Sequence, residues 1–191
     1  MTLDTHKLAR LGLFTALASI LGYIESLLPV FPGIPGIKPG LANLAVLFLL
    51  LRYTWKEAAV VSAARILIIG FLFGNLFGII YSFSGAVLSL CAMTFFQKKT
   101  DVSPVMLSIL GGVFHNAGQL AAAMVIVESS ALIYYAPALL VAGVVTGAVV
   151  GIVTSEVSQT ACHIRYIDRC NEKLTHPLVL HQWHKLSCLH G

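Results

Sequence analysis

The chain has 191 residues, 58% of them hydrophobic and only 10% charged, with a formal net charge of +4 and a mean hydropathy of +0.88. So few charges cannot cover the surface of a water-soluble globule; they leave apolar runs of membrane-spanning length between short polar breaks, an all-α integral membrane pattern. The basic surplus follows the placement rules of membrane proteins and gives no reason to invoke nucleic acid.

A spanning helix needs about 20 apolar residues. About six runs read as spans: 8–28, 41–53, 55–73, 76–96, 105–127 and 131–153. The first carries Glu25 about one turn from its outer end. It leads into Pro29-Val30-Phe31-Pro32 instead of a small-residue cleavage site, so it reads as a retained helix and not as a signal peptide. From Pro29 to Gly40 the chain is apolar but too rich in proline and glycine for a regular helix. Its Pro32, Gly33, Gly36, Lys38 and Gly40 mark either a lid or re-entrant gate above the bundle or a stiff external turn. The second run is short, and holds Asn43 near its outer start.

The third run has Arg65 near its middle as the sole charge between Ala58 and Phe73, and ends close to Asn75. An ionised side chain at the bilayer centre costs about 2.5–3.5 kcal/mol on insertion scales, so it persists where it faces other helices, a watery cavity or an anion. The fourth run carries Gly78, Ser82 and Ala86 at four-residue spacing, with Cys91 further along. The fifth has His115 and Asn116 at mid-depth and Gln119 one turn on, sharing a face with His115. In the sixth, Gly143, Gly147 and Gly151 form a ridge that allows close backbone approach, as do Gly12/Ala16 and Ala18/Gly22 in the first. Such ridges mostly serve packing within one bundle.

Residues 1–153 thus make a transmembrane domain, and 154–191 a Cys/His-rich tail. Cys162, Cys170 and Cys188 with His163, His176, His181, His184 and His190 invite a zinc reading, yet their spacing matches no zinc pattern. Val157, Ala161, Ile164 and Ile167 recur at helical spacing, so the last span is expected to continue as an amphipathic helix. Past Thr175, disorder and a surface-lying segment built on Leu180, Trp183, Leu186 and Leu189 remain equal alternatives.

Basic residues are retained on the cytoplasmic side. With the N-terminus inside, that side receives Lys7, Arg10, Arg52, Lys56, Lys98, Lys99, Arg165, Arg169, Lys173 and Lys185, and the outside only Lys38, which predicts both termini in the cytoplasm. At about 1.5 Å per residue, Arg65, His115, Asn116, Gln119, Asn43, Asn75 and Glu25 all fall between the midplane and the outer surface, while the inner halves stay apolar. That arrangement predicts an outward-facing ligand cavity. Arg65 supplies a donor fork suited to carboxylate or phosphate, the amides neutral donors and acceptors, and His115 either. The competing reading is a structural network in which Glu25 neutralises Arg65.

Gly36-Ile37-Lys38-Pro39-Gly40-Leu41-Ala42-Asn43-Leu44, the Arg65 helix followed by Gly74-Asn75-Leu76-Phe77, His115-Asn116-Ala117-Gly118-Gln119-Leu120, and Tyr134-Tyr135-x-Pro137 before Gly143-Val144-Val145-Thr146-Gly147 resemble the bacterial Gx transporter family, also called heptaprenyl diphosphate synthase component I. The resemblance covers about residues 8–153 and leaves the tail outside. Through the transporter label it implies likeness to the S components of energy-coupling factor transporters. These six-helix subunits of the bacterial cytoplasmic membrane capture a small molecule and depend on a separate transmembrane coupling subunit with ATPases. The chain has no Gly-x4-Gly-Lys-Ser/Thr phosphate loop of its own. The synthase label implies instead an accessory subunit in menaquinone isoprenoid synthesis. Catalysis is not expected, because prenyl synthases hold magnesium diphosphate on paired Asp-rich motifs and this chain has only the scattered Asp4, Asp101 and Asp168. An accessory role in a flavin or quinone electron-transfer system is a third possibility, although no haem or iron–sulfur ligand set is evident and no cofactor is expected.

Overall fold

A computed structural model describes residues 5–27, 40–99 and 102–175, with side chains for all of these except Ser26 and 161–175. Pro32, Gly33, Gly36 and Lys38 of the proposed gate, and all of the tail's Cys and His side chains, lie outside what is described. Among the described residues every regular element is helical: α1 Thr5–Leu27, α2 Leu41–Arg52, α3 Trp55–Phe73, α4 Leu76–Lys99, α5 Pro104–Val127, a short 3₁₀ helix Ser130–Tyr135 and α6 Ala136–Thr175. Contacts divide the chain into units 1–155 and 156–191.

The expected continuation of the last span as a helix is present, and the expected boundaries hold to within a few residues except at the start of that span. There a 3₁₀ helix occupies Ser130–Tyr135 and α6 runs for 40 residues. Neither glycine nor proline occurs between Gly151 and Pro177 to stop it. Short side chains set the other ends. Thr54 Oγ1 accepts the Glu57 N–H at 3.4 Å ahead of α3, Ser103 Oγ accepts the Met106 N–H at 3.3 Å ahead of α5, and Pro104 occupies the first turn of α5, where its missing N–H costs nothing.

Four helical segments are long and apolar enough to cross a membrane: Thr5–Glu25, Leu76–Lys99, Pro104–Val127 and Ser130–Thr160. The chain is therefore a multi-pass membrane protein, with α2 and α3 set apart for different reasons. α3 has the length, 19 residues, but carries Lys56, Glu57 and Arg65. The 12 residues of α2 extend only about 18 Å at 1.5 Å per residue, well short of a hydrocarbon core of about 30 Å. Ala42, Ala45, Val46, Leu47, Leu49 and Leu50 of α2 are buried and none of its other residues is more than half-exposed, as in a core helix more than a lipid-facing one. Leu47 and Leu49 join Val61 of α3 and Leu107 of α5 among the most completely buried side chains.

At the far end of α2 a charged cluster ties the bundle together. Glu57, 5% exposed, takes Lys7 Nζ and Arg10 Nη2 at 3.2 Å each, and the Arg10 guanidinium lies 4.1 Å from the centre of the Tyr53 ring. This joins the start of α1 to the α2–α3 corner.

Glycines bring the remaining helices together. A methyl group on Gly112 of α5 would stand 2.5 Å from the Gly143 carbonyl oxygen of α6, and one on Gly147 2.7 Å from Ile109 Cα. The Gly143–Gly147–Gly151 ridge thus packs inside the bundle, against α5. α4 meets α5 at Gly85 and Gly118, where Ser84 Oγ donates to the Gly118 carbonyl.

Candidate functional site

Arg65 projects from the middle of α3 toward the start of α2, and its Nη2 donates to Asn43 Oδ1 at 2.9 Å. Asn43, near the start of the 12-residue α2, therefore meets a residue from the middle of the 19-residue α3. Gly40 precedes α2 in the left-handed region, at φ 75°, a conformation most side chains resist. Its amide and that of Ala42 are among the unsatisfied N–H groups that begin a helix.

Glu25 supplies their acceptor. Its Oε1 lies 2.8 Å from Gly40 N and its Oε2 3.4 Å from Ala42 N, so a carboxylate only 7% exposed caps the positive end of α2 from the last turn of α1. Arg65 and Glu25 thus each have their own hydrogen-bond partners. Glu25→Ala should lower bundle stability by about 0.5–2 kcal/mol, the usual range for losing such a cap. Glu25→Gln, which keeps one acceptor oxygen, should lose less, and thermal melting of both variants in detergent would measure the difference.

A cavity of about 190 Å³ opens where these groups meet, and Glu25, Asn43, Arg65, His115, Asn116 and Gln119 line it together. Gln119 is 3% exposed. The Asn116 amide is fixed by donating to the Leu139 carbonyl at 2.6 Å, which leaves its oxygen for the cavity. Ile66, Ile69, Phe73, Gly74 and Gly78 complete the wall on the α3–α4 side. Asn75 is not part of it: its Oδ1 accepts the Gly78 N–H at 2.8 Å and caps α4. Gly40, alone of the proposed gate residues, is described and borders the cavity.

The unused hydrogen-bonding groups include donors on Arg65 and Asn43. Glu25 is engaged with two backbone amides, whereas Arg65 Nε is buried without a hydrogen-bond partner among the described residues, and Asn43 presents its amide nitrogen because its oxygen faces Arg65. A buried cation with unused donors gains most from a carboxylate or phosphate oxygen.

Residues that sequence reasoning passed over also belong here. Ser82 and Thr146 line the main cavity. A second, 30 Å³ space shares Gly40, Asn43, Gly112 and Thr146 with it and extends past Ser89 and Ser108, both 5% exposed. The half of the bundle toward Lys98 and Lys99 is thus not wholly apolar. Ser82 and Ser89, seven residues apart on one helix face, carried a readable signal; Thr146 did not, because its hydroxyl bonds to its own helix at Ala142 O, 2.8 Å away. Among the described residues no group of three or more His, Cys, Asp or Glu side chains is placed to hold a metal ion.

A family model described as heptaprenyl diphosphate synthase component I matches residues 14–157. The chain belongs to this family. No curated protein and no solved structure matches it. The region shared with heptaprenyl diphosphate synthase component I runs from α1 into α6 and contains every polar residue of the cavity, whereas the tail from residue 158 lies beyond it.

Proposed function

We propose that this chain is the membrane-embedded ligand-binding subunit of a small-molecule transporter, similar in role to an S component, with Arg65 as the anchor for an anionic ligand. The observation that carries this reading is the convergence of Arg65, Asn43, His115, Asn116 and Gln119 on one cavity inside an apolar bundle. Polar side chains at membrane depth are expensive to keep and mark ligand or ion sites. The subunit is non-catalytic and sits in a bacterial cytoplasmic membrane with both termini inside. A transmembrane coupling subunit with ATPases energises it.

The family's description favours a second reading, a non-catalytic membrane accessory of a prenyl diphosphate synthase. Purification in mild detergent followed by mass spectrometry separates the two. A co-purifying coupling protein with ATPases supports transport, and a co-purifying soluble prenyl synthase in their place would sink it. The orientation is tested with single cysteines in a background lacking the four native ones. An impermeant thiol reagent applied to intact cells should label Ser130→Cys and spare Lys99→Cys; the reverse pattern would invert the topology.

A further inference from the structure

The cavity is too small to enclose a whole ligand of ordinary size. Its volume of about 190 Å³ falls below the roughly 300–1,000 Å³ of pockets that swallow a small molecule, so it fits a head group and leaves any further part of the ligand outside. The rim limits where that part can go. On the α1–α2 side Glu25 is bonded to Gly40 and Ala42. On the α5–α6 side Asn116 is bonded to Leu139, and the helices touch backbone to backbone at Gly112 and Gly143.

Among the described residues, the side without such ties is the α3–α4 turn, where Phe73, Gly74 and Gly78 border the cavity. This turn is apolar, like much of the bundle's outer surface: Phe71, Leu72, Phe73, Leu76 and Phe77 are all between 59% and 76% exposed. So much exposed aromatic and aliphatic surface around one turn is unfavourable in water and favourable in lipid. The length of α3 agrees, since its 19 residues rise about 28 Å, no more than the hydrocarbon thickness of about 30 Å. Asn75 makes the turn tolerable in lipid by satisfying the Gly78 amide internally.

We propose that the cavity opens sideways to the bilayer at the α3–α4 turn and takes an amphiphilic anion, its carboxylate or phosphate head on Arg65 and its hydrocarbon tail passing over Leu76 and Phe77 into lipid. This rests on Arg65 being the ligand anchor, as proposed above for the transporter subunit. It adds the substrate class and the route of entry.

The test compares head groups with and without a tail, on the full chain in phosphatidylcholine nanodiscs, with partition into empty discs subtracted. The probes are dodecyl phosphate against methyl phosphate, and dodecanoate against acetate. In at least one pair the long-chain probe should bind saturably and at least tenfold more tightly than its short partner, and Arg65→Gln should weaken that binding at least tenfold. The double change Leu76→Ser/Phe77→Ser, on side chains outside the cavity wall, should weaken the long-chain probe at least fivefold and leave the short one as it was. Equal affinity within each pair would overturn the amphiphile and the sideways entry while leaving an anion site in place. Binding by no probe, or binding indifferent to Arg65→Gln, would remove the anchor itself and this inference with it.

Discussion

Arg65→Gln should reduce ligand binding or uptake by roughly 10- to 150-fold while leaving the bundle folded. The magnitude follows from losing hydrogen bonds to a charged group, about 1.5–3 kcal/mol, with each 1.4 kcal/mol worth about tenfold. Folding should survive because the Glu25 carboxylate is held by Gly40 N and Ala42 N and is not stranded when the guanidinium goes. Arg65→Lys keeps the charge but loses the planar fork, so it should fall between wild type and Gln. Binding isotherms and detergent melting curves measured side by side check both halves. If Arg65→Gln unfolds the protein and Arg65→Gln/Glu25→Gln restores it, the two residues are a structural pair after all. Full ligand binding by that stable double mutant would then eliminate the anchor.

The largest effect on stability is expected at the α5–α6 seam. Gly112→Ala and Gly147→Ala place a methyl group against backbone atoms of the facing helix, 2.5 Å and 2.7 Å away, which cannot rotate aside as a side chain would. Overpacking costs about 1–3 kcal/mol, and both changes belong at the upper end. Gly12→Ala is the control, because a methyl group there meets nothing within 4 Å; at a mid-helix site it should be neutral or slightly stabilising. Melting temperatures of the three variants in one detergent decide the matter. Equal shifts at Gly12 and Gly112 would mean that the seam is not the close contact described.

The sequence made the membrane class, the approximate helices and the central position of Arg65 legible, because each rests on a long-range pattern: apolar run length, charge scarcity, and a lone cation within an apolar run. Depth along each helix was enough to gather Glu25, Asn43, Arg65, His115, Asn116 and Gln119 into one site, and these six side chains do share a cavity. Neighbours that a one-dimensional reading cannot assign were hidden. Glu25 was paired on paper with Arg65, and it does lie close enough for its charge to act on the guanidinium, but its hydrogen bonds go to backbone amides, which carry no sequence label. Asn75 resembles the other amides but spends its oxygen on a helix cap.

Glu57 was missed for a related reason. Next to Lys56 at a helix start it looks like an ordinary interfacial charge, and only the fold brings Lys7 and Arg10 onto it. The short α2 shows the limit most clearly. Its 12 largely apolar residues fit either a truncated span or a core helix, and the lack of any fully exposed side chain along it, which periodicity does not report, favours the second.

The central claim is that the Arg65 cavity holds an anionic molecule, and native mass spectrometry of the protein purified from its own membranes tests it most directly. Wild type should retain a negatively charged molecule that Arg65→Gln has lost under identical extraction, with the helical circular dichroism of the two proteins superimposable. The same molecule retained in the same amount by both proteins would contradict the claim.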